Sequence, residues 1–127
     1  MNDPVLHVQM LGGFGLRVGE RAASAMSSRP AVSLLAYLVL RRDRTHTRDL
    51  LAGKFWPDEA DAVARKRLSN ALWQLNQSAK QIGLTELFDK THATVGFAPG
   101  RAVVVDVEEF EGRLDELAVY GRPLTLE

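Results

Sequence analysis

The sequence predicts an α+β fold: a small N-terminal antiparallel sheet, three consecutive helices and a C-terminal β-hairpin. Three observations predict it. Residues 5–18 alternate apolar and polar in two short runs broken by Gly12-Gly13. Residues 28–83 carry apolar positions at helical spacing. Beyond Gly83 the pattern returns to period two.

Val5–Leu11 and Phe14–Val18 are the two N-terminal strands, with Gly19-Glu20 offering a turn and Ala22–Ser28 connecting to the helices. The first helix starts at Ser28 as cap, with Pro30 in a first turn that has no use for its missing N–H. Its inner face is Leu34, Leu35, Leu38 and Val39, and Arg41–Arg44 form a polar loop. Thr47 caps a short second helix, whose dipole favours Asp49 in the first turn. Leu50, Leu51 and Phe55 are its expected buried stripe. Trp56-Pro57 stops it, because a residue before proline is biased out of the helical region, and Trp56 is expected to anchor in the core.

The third helix is expected from Asp61 to Gly83, a residue suited to a left-handed C-terminal position. Ala64, Leu68, Ala71, Leu72, Leu75, Ala79 and Ile82 make one apolar stripe along it. Opposite lie Arg65, Lys66, Ser69, Asn70, Trp73, Gln74, Asn76 and Gln77. Leu87–Lys90 and Thr94–Phe97 form a hairpin through Thr91-His92-Ala93. Ala98-Pro99-Gly100 turns the chain, Ala102–Val105 adds a strand, and Asp106–Leu117 opens an acidic amphipathic helix with Phe110, Leu114 and Leu117 on one side.

With 127 residues, 46% of them hydrophobic, the chain holds enough apolar material for an independent core without metal or disulfide. It contains no Cys, which excludes disulfides and thiolate zinc sites. No apolar run approaches the roughly 20 residues of a membrane span, and MNDPVLHVQM lacks a signal-peptide pattern, so a cytoplasmic protein with no membrane partner is expected. The formal charge of 0 hides an uneven distribution. Up to Arg101 there are 14 Lys/Arg against 9 Asp/Glu, and from Ala102 onward 2 against 7. A basic body with an acidic tail fits a nucleic-acid binder joined to something else.

Sheet, three helices and hairpin is the order of a winged helix-turn-helix. LGGFGLRVGE (Leu11–Glu20), LLAYLVLRRDR (Leu34–Arg44), TRDLLAGKFWPD (Thr47–Asp58) and ARKRLSNALWQL (Ala64–Leu75) together resemble the N-terminal domain of SARP-type (antibiotic-regulatory) transcriptional activators. That domain is similar to the DNA-binding domain of OmpR/PhoB-type response regulators. TVGFAPGRAVVVDVEEFE (Thr94–Glu111) resembles the passage from the wing into the family's helical bacterial transcriptional activator domain.

The resemblance implies a DNA-binding domain over residues 1–105. Residues 106–127 are then the start of the activator domain, most of it lacking. It further implies a third helix in the major groove, a wing near the minor groove and head-to-tail pairs on direct-repeat double-stranded DNA. RNA polymerase is the implied second partner, met by the acidic loop Pro57, Asp58, Glu59, Ala60 and Asp61.

Phosphate contacts give salt-dependent affinity, whereas base-edge contacts choose sequence. Arg48, beside the free N–H groups of its helix, is a candidate phosphate donor. Of the consecutive Arg65, Lys66 and Arg67, the first two are expected on the groove face. Arg67 is expected to reach sideways to phosphate or to an acidic neighbour. Asn70 and Gln74 stand one turn apart, and amide side chains pair bidentately with adenine. Ser69, Trp73 and Gln77 complete the candidate face, and Lys90 and His92 are the wing candidates.

The chain departs from the family where the third helix is often Arg-rich: here stands Gln74-Leu75-Asn76-Gln77. Each missing cation removes about 0.9 from the log–log salt slope, so the lone domain is expected to bind weakly. A winged helix that has lost most DNA affinity and contacts protein instead is the competing expectation.

Catalysis is not expected. Gly12-Gly13 lacks the spacing and context of a phosphate loop, and no nucleophile–base pair can be named. His7 and His46 stand apart from each other and from carboxylate spacing, so neither a metal nor another cofactor is expected.

Overall fold

The computed structural model describes residues 5–23, 28–84, 87–97 and 102–108. Among the described residues the chain is a mixed α+β fold. Its elements are β1 (Leu6–Gln9), β2 (Gly15–Val18), β3 (Arg21–Ala22), α1 (Arg29–Leu40), β4 (Thr45–Thr47), α2 (Arg48–Phe55), α3 (Asp61–Gln81), β5 (Phe88–Lys90), β6 (Thr94–Phe97) and β7 (Val103–Val105).

The expected antiparallel N-terminal sheet is present, with β1 and β2 antiparallel and Val8 opposite Leu16, but it is larger than expected and not wholly antiparallel. It has four strands in the order β3-β2-β1-β7, and β7 lies parallel to β1, with Leu6 opposite Val103 and Val8 opposite Val105. A parallel return needs a crossover of a dozen residues or more. The three helices and the hairpin supply it, and β7 covers an edge of β1 that would otherwise be unpaired. Leu6, Val8, Leu16 and Val105 point inward and are buried. Ala22, expected to open the connecting segment, instead joins Arg21 in β3 and extends this sheet.

Ser28 caps α1 by accepting from the Ala31 N–H at 3.4 Å, and Ala31, Leu34, Leu35, Leu38 and Val39 are buried along it. The Thr47 hydroxyl accepts from the Leu50 N–H at 3.2 Å and opens α2. Within α2 one of the three residues of the expected stripe fails: Leu51 is buried and Phe55 half-buried, but Leu50 is 55% exposed. Adjacent helical residues point about 100° apart. Leu51 and Phe55 therefore share the inner face, while Leu50 shares the outer one with Lys54. Trp56, expected in the core, is half-buried and packs against it. Its ring lies 6.2 Å from Phe55, which meets Tyr37 edge-on at 5.6 Å.

α3 packs against α1 and α2 through the predicted stripe, every member of which is buried through Ile82. The helix ends at Gln81, and Gly83 has the left-handed φ of +89° that closes it. The Gly83 N–H donates to the Lys80 carbonyl at 3.1 Å and the Leu84 N–H to the Ala79 carbonyl at 3.0 Å, satisfying carbonyls the helix cannot. Arg21 adds a cation at this negative end, donating to the Gln81 carbonyl at 3.0 Å.

The expected hairpin of β5 and β6 gains a third strand, giving the order β4-β6-β5. Of Thr45–Thr47 the sequence marks only Thr47, as a cap, because three polar-flanked residues carry little strand signal. Gly96 permits the pairing: a Cβ there would fall 2.7 Å from the Thr45 Cγ2. His46, on the same strand, is buried against the Tyr37 ring at 5.4 Å.

Residues 106–108 are helical and bond back to the body. The Asp106 carboxylate accepts from the Met10 N–H at 2.8 Å and the Leu11 N–H at 3.0 Å. Arg42 donates bidentately to Glu108 at 2.8 and 2.9 Å. The remainder of the expected second unit, including Phe110, Leu114 and Leu117, lies outside the described residues, as does the turn at Ala98-Pro99-Gly100.

Desolvation pushes the Asp106 carboxyl up, but N–H groups of Leu11, Met10, Val107 and Asp106 itself hold it below its ordinary range. The Arg42 hydrogen bond, against an opposing desolvation, holds Glu108 low as well. A carboxyl whose folded pKa is depressed contributes stability above its unfolded pKa, and that contribution is lost as pH falls through the folded value.

Two predictions follow from these contacts. Asp106→Ala removes two charge-assisted acceptors at an exposed turn and should lower unfolding stability at neutral pH by about 1–2 kcal/mol. In urea titrations, its stability should also fall less steeply than that of the parent chain below about pH 4.5. Gly96→Ala should destabilise by about 1–3 kcal/mol through overpacking. Combining it with Thr45→Ser, which deletes the clashing methyl, should recover most of the loss in thermal unfolding.

Candidate nucleic-acid interface

The buried stripe decides where every other residue of α3 points. Successive residues step about 100° around the helix, so the side directly away from Leu68, Leu72 and Leu75 carries Lys66, Asn70, Trp73 and Gln77. Lys66, Asn70 and Trp73 are exposed and Gln77 is half-buried. Trp73 has 62% of its surface in solvent, so it belongs to the outer face and not to the core. Asn76, counted by sequence among the face residues, instead accepts from the Leu87 N–H at 3.4 Å and holds the chain as it leaves the helix.

The two flanks of this face differ. On one, a groove opens between the start of α2, α3 and the tip of the β5–β6 hairpin, lined by Thr47, Arg48, Asp49, Arg65, Ser69 and His92. On the other, Arg67, Asn70 and Gln74 border a shallow concavity with Ser28, Pro30 and Trp56. Asn70 and Gln74 are thus brought together as expected, and half-buried Trp56 stands beside them.

Arg48 has a structural task that the sequence did not announce. Its backbone N–H donates to the Ala93 carbonyl at 2.9 Å and its Nε to the Thr91 carbonyl at 3.1 Å. The first residue of α2 is therefore stitched to the hairpin tip. Within that tip the Thr91 hydroxyl accepts from the Thr94 N–H at 2.9 Å and the Ala93 N–H at 3.2 Å, and bonds the Thr94 hydroxyl at 2.7 Å. His92 is exposed at the apex and Lys90 is exposed on β5.

The cations flanking Lys66 are both paired. Arg65, expected to face a groove freely, forms an ion pair with Asp49 of α2. Arg67 reaches Glu59 at 3.4 Å, the acidic-neighbour option expected for it. Asp49 lies 16 positions before Arg65, beyond the reach of any local spacing rule; only the packing of α2 on α3 joins them. Lys66 and Lys90 have no ion pair among the described residues.

The acidic loop Pro57, Asp58, Glu59, Ala60 and Asp61 is exposed throughout. Ala60 occupies the N-cap of α3 without a side-chain cap bond, and Asp61 stands in the first turn, where a carboxylate complements the positive helix end. Among the described residues no cluster of His, Asp and Glu is arranged to hold a metal ion, and no helix is long and apolar enough to cross a membrane.

Comparison of the chain with protein-family models, curated proteins and solved structures found no match. Chemically, the assembled surface is a rigid helix face offering one unpaired ammonium, amides, a hydroxyl and an indole, bordered by a hydrogen-bonded hairpin tip.

The Thr91 network predicts a local effect. Thr91→Ala should speed amide exchange at Ala93 and Thr94 by about five- to tenfold, equivalent to roughly 1 kcal/mol. Exchange along α3, read in the same hydrogen–deuterium experiment, should be unchanged.

Proposed function

We propose that this chain is the DNA-binding part of a bacterial transcriptional regulator of the SARP type, folded as an OmpR/PhoB-like winged helix-turn-helix. In this reading α3 enters the major groove and the β5–β6 hairpin approaches the neighbouring minor groove. The observation that carries it is the outer face of α3, where Lys66, Asn70 and Trp73 project, flanked on one side by Gln74 and on the other by the groove that Arg65 and Ser69 share with His92 of the hairpin tip. A helix face of this kind fits the major groove, where amides pair with adenine edges and an ammonium meets phosphate or guanine. Arg48, fixed at the tip of the hairpin, keeps further N–H groups for a phosphate. The resemblance of the separated motifs supports the same reading, as does the basic balance of residues 1–101.

The partners follow from the reading: double-stranded DNA with direct repeats, a second copy arranged head to tail, and RNA polymerase at the exposed 57–61 loop. A regulator of this kind works in the cytoplasm. One observation favours the alternative of a protein-contact module: Arg65 and Arg67 are both ion-paired while Trp73 is 62% exposed. Aromatic side chains of that exposure are frequent anchors of protein interfaces.

The deciding experiment selects DNA from random sequence with the full-length protein and titrates the selected duplex across salt. Lys66→Ala should reduce the log–log salt slope by about 0.9 and weaken binding several-fold at about 0.1 M salt. Gln74→Ala should change the preferred base at one position, by roughly 1–3 kcal/mol of discrimination, more than it changes total affinity. Absence of any selectable duplex at about 50 mM salt would transfer the surface to the protein-contact reading.

A further inference from the structure

Resting on the DNA-binding reading, we infer that Asp49 and Glu59 are built-in competitors for DNA phosphate, each holding one flanking arginine of α3 and suppressing sequence-independent binding. Two separate ion pairs motivate this. Arg65 is held by Asp49 from α2, and Arg67 by Glu59 from the turn before α3 at 3.4 Å. The two acids come from different elements and sit on opposite flanks of Lys66.

These pairs do little for the fold. The side chains of Arg65 and Asp49 are 62% and 69% exposed, and exposed ion pairs contribute close to nothing measurable in most cases. Their effect is on the field at the surface. Asp49 and Arg65 line the same groove with Arg48 and His92, so a phosphate arriving at Arg65 meets a carboxylate at the same place. Binding requires the guanidinium to exchange one anion for another, which returns little net charge neutralisation.

Sequence-independent affinity derives almost entirely from phosphate neutralisation and counterion release. Masking two of the three consecutive cations Arg65, Lys66 and Arg67 therefore removes most of what the first half of α3 would offer arbitrary DNA. Base-edge contacts by the amides are untouched by it. Like-charge groups placed against wrong partners are a general route to discrimination. Asp49 and Glu59 are thus specificity-determining residues that need make no favourable contact with DNA themselves.

The test measures binding of random-sequence duplex by the full chain carrying Asp49→Asn or Glu59→Gln, over a range of salt. Freeing one cation should raise affinity about three- to eightfold near 0.1 M salt and steepen the log–log slope by up to about 0.9. Arg65→Ala should change random-duplex affinity little in the parent chain and several-fold more in the Asp49→Asn background; equal effects in both overturn the masking of Arg65. Unchanged affinity and slope in both acid variants, with the parent chain binding its selected duplex, overturn the inference alone. Failure of every variant and of the parent to bind any duplex overturns the DNA reading together with it. Glu59→Gln lies in an exposed turn and carries the test if Asp49→Asn, in the first turn of α2, loosens that helix in circular dichroism.

Discussion

The burial of one side of α3 is the constraint on which the rest depends. Leu68, Leu72 and Leu75 are at most 1% exposed, and truncating such a side chain typically costs about 2–5 kcal/mol. A helix held this firmly on one face cannot rotate about its axis, so its outer residues have fixed directions without any contact of their own. That is how Lys66, Asn70, Trp73 and Gln77 come to share one face although nothing in their own chemistry aligns them. α1 and α2 are the elements packed on the stripe, and they also position what borders it: Ser28 on one side, Thr47 and Arg48 on the other.

The hairpin is oriented by a second, smaller set of interactions, and Thr47 is where the two sets meet. It ends β4, opposite Thr94 of the hairpin, and its hydroxyl caps α2. Arg48 then binds the hairpin tip through both backbone and side chain. Strand, cap and tip are thus consecutive functions of two neighbouring residues, and the tip follows α2 as one body. Gly96 belongs to the same arrangement, since any side chain there would meet Thr45 and push β4 away.

The helices were legible because their signals are local. Ser28 and Thr47 cap as a hydroxyl before a helix should, Gly83 ends one as a left-handed glycine should, and the α3 stripe repeats over enough turns to be unambiguous. The misses were all long-range or too short to repeat. Eight residues of α2 are too few for the spacing to separate Leu50 from the inner face of Leu51 and Phe55. The parallel partnership of β1 and β7 joins residues almost a hundred positions apart. The Asp49–Arg65 pair exists only because α2 packs on α3. In the candidate surface, the facing of most α3 residues and the acidic-neighbour option of Arg67 are legible in the sequence, but the bond of Asn76 to Leu87 and the pairing of Arg65 with Asp49 are not.

That occupancy alters what the charge distribution means. Counted along the chain, residues 1–101 are basic and the remainder acidic. In space the division is less sharp. Glu108 of the acidic segment is bound by Arg42 of the body, and Asp106 is taken up by N–H groups at the turn after β1. Within the body, Arg44 pairs with Asp43, while Arg41 and Lys54 lie over the Tyr37 ring at 4.2 and 5.2 Å. Screening limits what separated surface charges contribute beyond about 10 Å at 0.1 M salt, so a partner responds to the local pattern and not to the sum. Locally, that pattern is one free ammonium between two neutralised guanidiniums, followed by amides and an indole. Under the DNA-binding proposal, a surface built this way would gain little from charge and would take its affinity from shape, from hydrogen bonds to specific groups, or from a second copy bound alongside.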